Sequence, residues 1–213
     1  MRFPIKAFAI VTLAVIGGIA IEQATAVMSV APPKVGEQAP AFNAPDISGK
    51  TVRLGDYAGR TIVLEWTNNG CPFVGKHYDS GNMQSLQQRY TAAGVVWLTI
   101  VSSAPGEEGY VTPAEARADL ARWRAVPSGF LLDPEGIVGR LYDARATPHM
   151  AVIDRTGRLV YMGAIDDTPS TSLTDVKTAH NYVAAALDAI AAGQPVAVAS
   201  TRAYGCSIKY KES

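Results

Sequence analysis

Apolar residues recur along this chain in different rhythms, and each rhythm predicts a different element. Thr61 to Trp66 (TIVLEW) and Val95 to Val101 (VVWLTIV) are continuous β-branched and apolar runs, short enough for strands buried on both faces. Thr51-Val52-Arg53-Leu54 alternates like a half-buried strand, with turn residues Asp46 to Lys50 ahead of it. Met150 to Ile153 and Leu159 to Met162 flank Asp154-Arg155-Thr156-Gly157, which predicts a hairpin. Met83, Leu86, Tyr90 and Ala93 fall at helical spacing, and Gly94 ends that run. Thr112-Pro113-Ala114-Glu115 combines a capping residue, a proline at the first helical position and the acidic partner of a capping box. Ala116, Leu120 and Trp123 then line one face. A short strand over Phe130 to Leu132 leads into Asp133-Pro134 and a helical piece carrying Ile137 and Leu141. The last helix is expected from about Asp175 to Ala192, with Val176, Val183, Leu187 and Ile190 inward, stopped by Gly193 and Pro195. Strands alternating with helices predict an α/β fold, and the C-terminal hairpin makes its sheet mixed.

The first residues follow none of these rhythms. Arg2 and Lys6 precede an uncharged apolar run from Ala7 to Ile21, and Ala24-Thr25-Ala26 supplies the small residues of a cleavage site. That order reads as a secretory signal peptide over residues 1–26, too short for a comfortable membrane span. Left uncleaved, it would be the chain's only contact with a membrane. Residues 27–36 form a small, proline-containing lead-in, 37–193 the folded domain, and 194–213 a C-terminal tail. Of the 213 residues, 48% are apolar and only 18% charged, with 19 basic and 19 acidic side chains. A chain so balanced is neither disordered nor a nucleic-acid binder working by phosphate neutralisation. Two cysteines and three histidines exclude a disulfide-dense scaffold and a multi-metal protein. Export would place the cysteines where disulfides persist.

Cys71 lies five residues beyond the TIVLEW run, in Asn68-Asn69-Gly70-Cys71-Pro72-Phe73-Val74-Gly75-Lys76-His77. Pro72 suits a first helical position, which makes Cys71 a helix N-cap facing unpaired N–H groups and the positive end of the dipole. Lys76 and His77 are expected to add to that field, the setting in which cysteine is reactive. The competing reading is an inert, buried structural cysteine. Cys206 stands in the tail beyond the last helix. It is either half of a permanent disulfide or a resolving thiol that attacks oxidised Cys71, and a mobile tail favours the second. His77 is expected to be exposed on the first turn, His149 to enter a strand, and His180 to be structural within the last helix. Asp166-Asp167 reads as a solvated loop or a cap. Cys71, His77 and His149 are a conceivable soft-metal set, but with so few ligands no metal and no cofactor is assigned.

Val35-Gly36-Glu37-Gln38-Ala39-Pro40-Ala41-Phe42, then Asp46 to Leu54, then Tyr57-Ala58-Gly59-Arg60 into TIVLEW and Cys71-Pro72, resembles the opening of peroxiredoxins and related redoxins, the alkyl hydroperoxide reductase and thiol-specific antioxidant group. Glu65 to Tyr78, Gly163 to Asp167 and Gly205-Cys206-Ser207-Ile208-Lys209-Tyr210 extend the resemblance over most of the chain from Val35 onward. It implies a thioredoxin-like fold, with a mixed central sheet flanked by helices, an N-terminal β-hairpin extension and a C-terminal tail. It also implies that Thr147-Pro148 is the cis-proline loop packed against the reactive cysteine. Arg145 would then hold the thiolate and peroxide. The chain departs from the family at three places. Val74 stands where thioredoxins carry a second cysteine, and Asn68 and Leu64 stand where peroxiredoxins carry Thr and Pro, with Thr67 displaced by one. The function implied is an exported thiol oxidoreductase acting on a peroxide or a disulfide, recycled by an unidentified thiol reductant. The alternatives are a redox-inactive binding module and a copper-handling protein.

Overall fold

The structure, a computed structural model, describes residues 32–212; the segment read as a signal peptide lies outside the described residues. Strands β1 (Asn43–Pro45) and β2 (Thr51–Arg53) form an antiparallel hairpin. Strand β3 (Ile62–Trp66) leads into helices α1 (Pro72–Asp79) and α2 (Asn82–Ala92). Then come β4 (Val96–Val101), α3 (Pro113–Trp123), β5 (Gly129–Leu132) and the short α4 (Ile137–Leu141). The two-residue β6 (Ala146–Thr147) precedes the hairpin of β7 (His149–Ile153) and β8 (Leu159–Gly163). Helix α5 (Tyr182–Ala191) and the two-residue β9 (Cys206–Ser207) complete the order.

The main sheet runs β5-β4-β3-β7-β8, parallel across β5, β4 and β3 and antiparallel across β3, β7 and β8. Every residue of β3, β4 and β7 is buried, as continuous apolar runs require when both faces are covered. Side chains alternate between two cores. Leu64, Trp66, Leu98, Ile100 and Ala151 face one, with the β1–β2 hairpin, Tyr142 and Ile208. Val63, Trp97, Met150 and Val152 face the other, under α1, α2 and α5.

The last helix starts later than its pattern suggests. Asp175–Lys177 forms only a 3-10 turn, and α5 begins at Tyr182, where the Asn181 side chain accepts the Ala184 N–H at 2.8 Å. Thr174 makes no side-chain capping bond, whereas Asn181 meets a first-turn donor and sets the start. His180 therefore lies before the helix and is exposed, its backbone N–H donated to the Asp167 carboxylate at 3.0 Å.

The tail is not loose. Thr201 N–H donates to the Met162 carbonyl at 3.1 Å, and Ala104 N–H to the Lys209 carbonyl at 2.7 Å. Ser207 and Cys206 of β9 pair antiparallel with Ala146 and Thr147 of β6. Ile208 is buried in the first core, and the Tyr210 hydroxyl donates to the Ala144 carbonyl at 2.5 Å. The path needs glycine at both crossings. A Cβ at Gly163 would lie 2.3 Å from the Thr201 carbonyl oxygen, and one at Gly205 only 1.9 Å from that of Thr147. Ile208 stands close to the end of the chain, yet Ile208→Ala should lower the unfolding free energy by about 2–4 kcal/mol, as for an interior residue. Urea denaturation checks this, and a loss below about 0.5 kcal/mol would place the tail outside the core.

Candidate active site around Cys71

Strand β3, in the middle of the sheet, ends at Trp66, and the chain turns before α1. The Asn68 side chain shapes that turn, its Oδ1 accepting the Gly70 N–H at 2.8 Å. Cys71 is the N-cap of α1, with Pro72 in the first turn, but its side chain makes no capping bond. The thiol is turned to the β6–β7 connection, where Thr147–Pro148 is a cis peptide bond. Cys71 Sγ donates to the Thr147 carbonyl at 3.2 Å and accepts the Cys206 N–H at 3.4 Å. Both cysteines are free thiols; Cys71 is 2% exposed and Cys206 partly buried. Burial, and next its side-chain contact with Cys71, push the Cys206 thiol up to about 12.

The structure therefore brings Cys71, Pro72, Thr147, Pro148 and Cys206 together. Thr67 and Asn68 stand beside them, both buried. Among the described residues the Thr67 hydroxyl has no hydrogen-bond partner, and Asn68 Nδ2 donates to Glu108 at 3.4 Å. Other expected neighbours point elsewhere. Arg145, 80% exposed along its side chain, donates to Asp143 at 2.8 Å and makes no hydrogen bond to Cys71. Lys76 and His77 do not spend their polar atoms on the thiol either. Lys76 Nζ donates to Asp166 Oδ2 at 3.0 Å, to the Thr168 carbonyl at 2.7 Å and to the Tyr204 hydroxyl at 3.5 Å. His77 is buried rather than exposed, with Asn82 on Nδ1 at 2.8 Å and Asp166 3.8 Å from Nε2. The physical reason is a carboxylate. Asp166, expected in a solvated loop, is itself buried and draws these groups away from the cysteine.

Two residues of this layer escape a reading by motif. Tyr204 closes the Lys76–Asp166–His77 cluster from the tail, its hydroxyl donating to Asp166 Oδ1. Glu65 stands on the second-core face of β3, fully buried, and accepts from Tyr78 at 2.6 Å, Trp97 at 2.7 Å, Thr99 at 3.1 Å and Gln87 at 3.3 Å. Burial raises its carboxyl above the ordinary range, against the pull of those four donors. A charge inside the otherwise apolar TIVLEW run was the trace it left in the sequence.

His77 and His149 share an acid liability. Burial holds each at about 4, His77 despite Asp166 beside it. A histidine in an unfolded chain titrates near 6.5, so between about 6.5 and 4 the unfolded state binds the extra proton. Stability present above 6.5 is lost as pH falls through that window, by about 2–3 kcal/mol per group by pH 4.5. Urea unfolding at pH 7 and pH 4.5 should show a gap smaller by about that amount in His77→Gln than in the wild type. Equal gaps would mean that His77 is not held neutral.

The Redoxin family model matches residues 34–182. Methylamine utilization protein MauD of Paracoccus denitrificans is 30% identical over 142 residues, which cover 59% of this chain and 68% of that protein. Among solved structures, an uncharacterized conserved protein from Geobacillus kaustophilus has a TM-score of 0.71 at 29% identity, over 84% of this chain and 94% of that one. A hypothetical protein from Sinorhizobium meliloti 1021 has a TM-score of 0.67 at 26% identity, over 84% of this chain and 96% of that one. With Cys71 at the start of a helix and a cis-proline loop beside it on a thioredoxin-like sheet, the chain belongs to the redoxin family.

Proposed function

We propose that this protein is an exported thiol oxidoreductase in which Cys71 is the nucleophile and Cys206 the resolving thiol. The observation that carries the reading is the Cys71 sulfur lying between the Thr147 carbonyl and the Cys206 amide, with the second thiol one strand away. A redox pair needs such proximity, because exchange proceeds by attack of one sulfur on another. A disulfide substrate fits the site best. Cys71 thiolate attacks one sulfur of R–S–S–R and expels one thiolate, leaving Cys71–S–S–R. Cys206 then attacks the Cys71 sulfur and expels the second. Two protons from the protein thiols convert the leaving groups to two thiols, and the protein ends as the Cys71–Cys206 disulfide. An external dithiol reductant reverses the last state.

A hydroperoxide is the second substrate class. Cys71 would take one oxygen to become a sulfenic acid, releasing an alcohol, and Cys206 would then expel water to give the same disulfide. The site supports this route less. Arg145 is paired with Asp143, and the position three before Cys71 is an amide, Asn68, whose oxygen already serves the turn. Export rests on Arg2, Lys6, the run Ala7 to Ile21 and Ala24-Thr25-Ala26. Among the described residues no helix is long and apolar enough to cross a membrane.

Reduced protein treated with one equivalent of a small aromatic disulfide should release close to two equivalents of thiol and yield a Cys71–Cys206 peptide pair by mass spectrometry. Cys206→Ser should stop at one equivalent with the mixed disulfide on Cys71, and Cys71→Ser should release almost none. Release of two equivalents by Cys206→Ser would remove Cys206 from the resolving role. Because burial raises that thiol above its ordinary range, the second release should quicken steadily from pH 7 to 9. A flat profile would oppose attack by a Cys206 thiolate. Protein isolated from its native host should begin at Val27, and Edman sequencing that reads Met1 would oppose cleavage.

A further inference from the structure

The Lys76–Asp166 pair is sealed from water, with side chains 0% and 2% exposed. Burying two opposite charges is a poor route to stability, because desolvation offsets the attraction; its best-attested use is to fix one arrangement among alternatives. What this pair fixes is visible in its third and fourth members. Lys76 comes from α1, Asp166 from the loop after β8, His77 from α1, and Tyr204 from the tail. The tyrosine hydroxyl donates to Asp166 Oδ1, takes the third Lys76 N–H at 3.5 Å and lies 3.5 Å from His77 Nε2. Its ring sits edge-on to Phe73 at 5.8 Å and under the Lys76 ammonium at 5.7 Å. Every Lys76 donor is thereby met, one of them only because the tail is docked. Without Tyr204 the ammonium keeps two partners and Asp166 loses a donor to Oδ1.

Tyr204 lies two residues before Cys206, so fixing it leaves the cysteine a freedom of no more than about 7 Å of extended chain. Gly205 lets that chain pass over the Thr147 carbonyl, and β9 then pairs with β6 through two residues only. So short a ladder is weak by itself. We infer that Tyr204, seated in the buried Lys76–Asp166–His77 cluster, is a positioning residue that latches the tail so that Cys206 is held on Cys71 and Cys71 is closed to other thiol reagents. The first half rests on the resolving role proposed above; the second half does not. Thr201, bonded to Ala164 N at 2.9 Å, tethers the tail upstream, so release of Tyr204 frees the stretch that carries Cys206 without detaching the segment before it.

The latch predicts two rates that move in opposite directions. In Tyr204→Phe the ring contacts remain and the hydroxyl bonds go; in Tyr204→Ala both go. Starting from the Cys71 mixed disulfide made with a small aromatic disulfide, closure to Cys71–Cys206 should slow about threefold or more in Tyr204→Phe and about tenfold or more in Tyr204→Ala. In the reduced proteins, alkylation of Cys71 by iodoacetamide, mapped by mass spectrometry, should quicken in the same order by similar factors. That gain should be nearly independent of urea at low concentration, as for local opening, whereas labelling through global unfolding climbs steeply with urea. Should Tyr204→Ala fail to fold, Tyr204→Phe decides alone. Closure and labelling at wild-type rates in a folded variant overturn the latch. Faster labelling that is steep in urea overturns it too, since Tyr204 would then serve only overall stability. If the wild type forms no Cys71–Cys206 bond, the resolving role fails, and the labelling arm still tests whether Tyr204 closes Cys71.

Discussion

The site depends on one hydrogen-bonded contact: the Cys71 sulfur held between the Thr147 carbonyl and the Cys206 amide. Three parts of the fold must arrive together to make it. Strand β3 and its turn deliver Cys71 to the start of α1, the cis Thr147–Pro148 connection turns a carbonyl toward it, and the tail brings a backbone N–H from 135 residues later. Each part is anchored in a different layer. β3 is fixed by full burial in the middle of the sheet, β6 by leading into β7, and β9 only by what the tail can grip. The contact is therefore as secure as its weakest anchor, which explains why so many side chains of an otherwise sparsely charged chain are committed around residues 199–211.

The two buried polar clusters divide that labour. Glu65 is met by four donors from α1, α2 and β4, and ties both of those helices to the strand that leads to Cys71. Asp166 is met by Lys76, Tyr204 and Thr168, and ties α1 to the tail. Helix α1 carries a member of each cluster, Tyr78 for Glu65 and Lys76 for Asp166. The last turn of the helix that Cys71 caps is thus braced from both sides. An unpaired carboxylate in either place would be costly to bury, so each cluster holds its helix in the one orientation that completes it.

What could be read from the sequence follows from the range of the forces involved. TIVLEW and VVWLTIV showed as buried strands because burial on both faces leaves a continuous apolar run. The Asp154 to Gly157 turn and the Thr112 capping box showed because they are local, and the fold uses both. The start of α5 did not, since Thr174 or Asp175 and Asn181 carry equivalent capping chemistry and only tertiary placement chooses between them. The tail was the larger miss. It has no period, and its order comes from partners 37 to 135 residues distant, such as Asp166 and Lys76 for Tyr204. For the same reason Asp166 looked like a solvated loop residue and His77 like an exposed one. The place of Cys71 at the start of α1 was legible, because the strand end, the cysteine and the following proline are close in the chain. The company it keeps was not.

Placing the second thiol on the tail rather than at Val74 changes what the proposed redox pair is coupled to. Val74 lies on α1, fully buried in the second core, where a thiol would share the rigidity of the helix and answer to nothing else. A thiol on β9 reaches Cys71 only while the tail is docked, so docking sets its effective concentration. Under the reading proposed here, docking and oxidation then stabilise each other. Only a difference in docking strength between the two redox states shifts the potential, by about 30 mV for each 1.4 kcal/mol. In the oxidised protein the covalent bond holds β9 on β6, and the Asp166 cluster is redundant. In the reduced protein that cluster and the short ladder carry the tail alone. The non-covalent grip therefore matters before that bond forms, above all in the mixed disulfide, where Cys206 and an outside thiol would compete for the Cys71 sulfur.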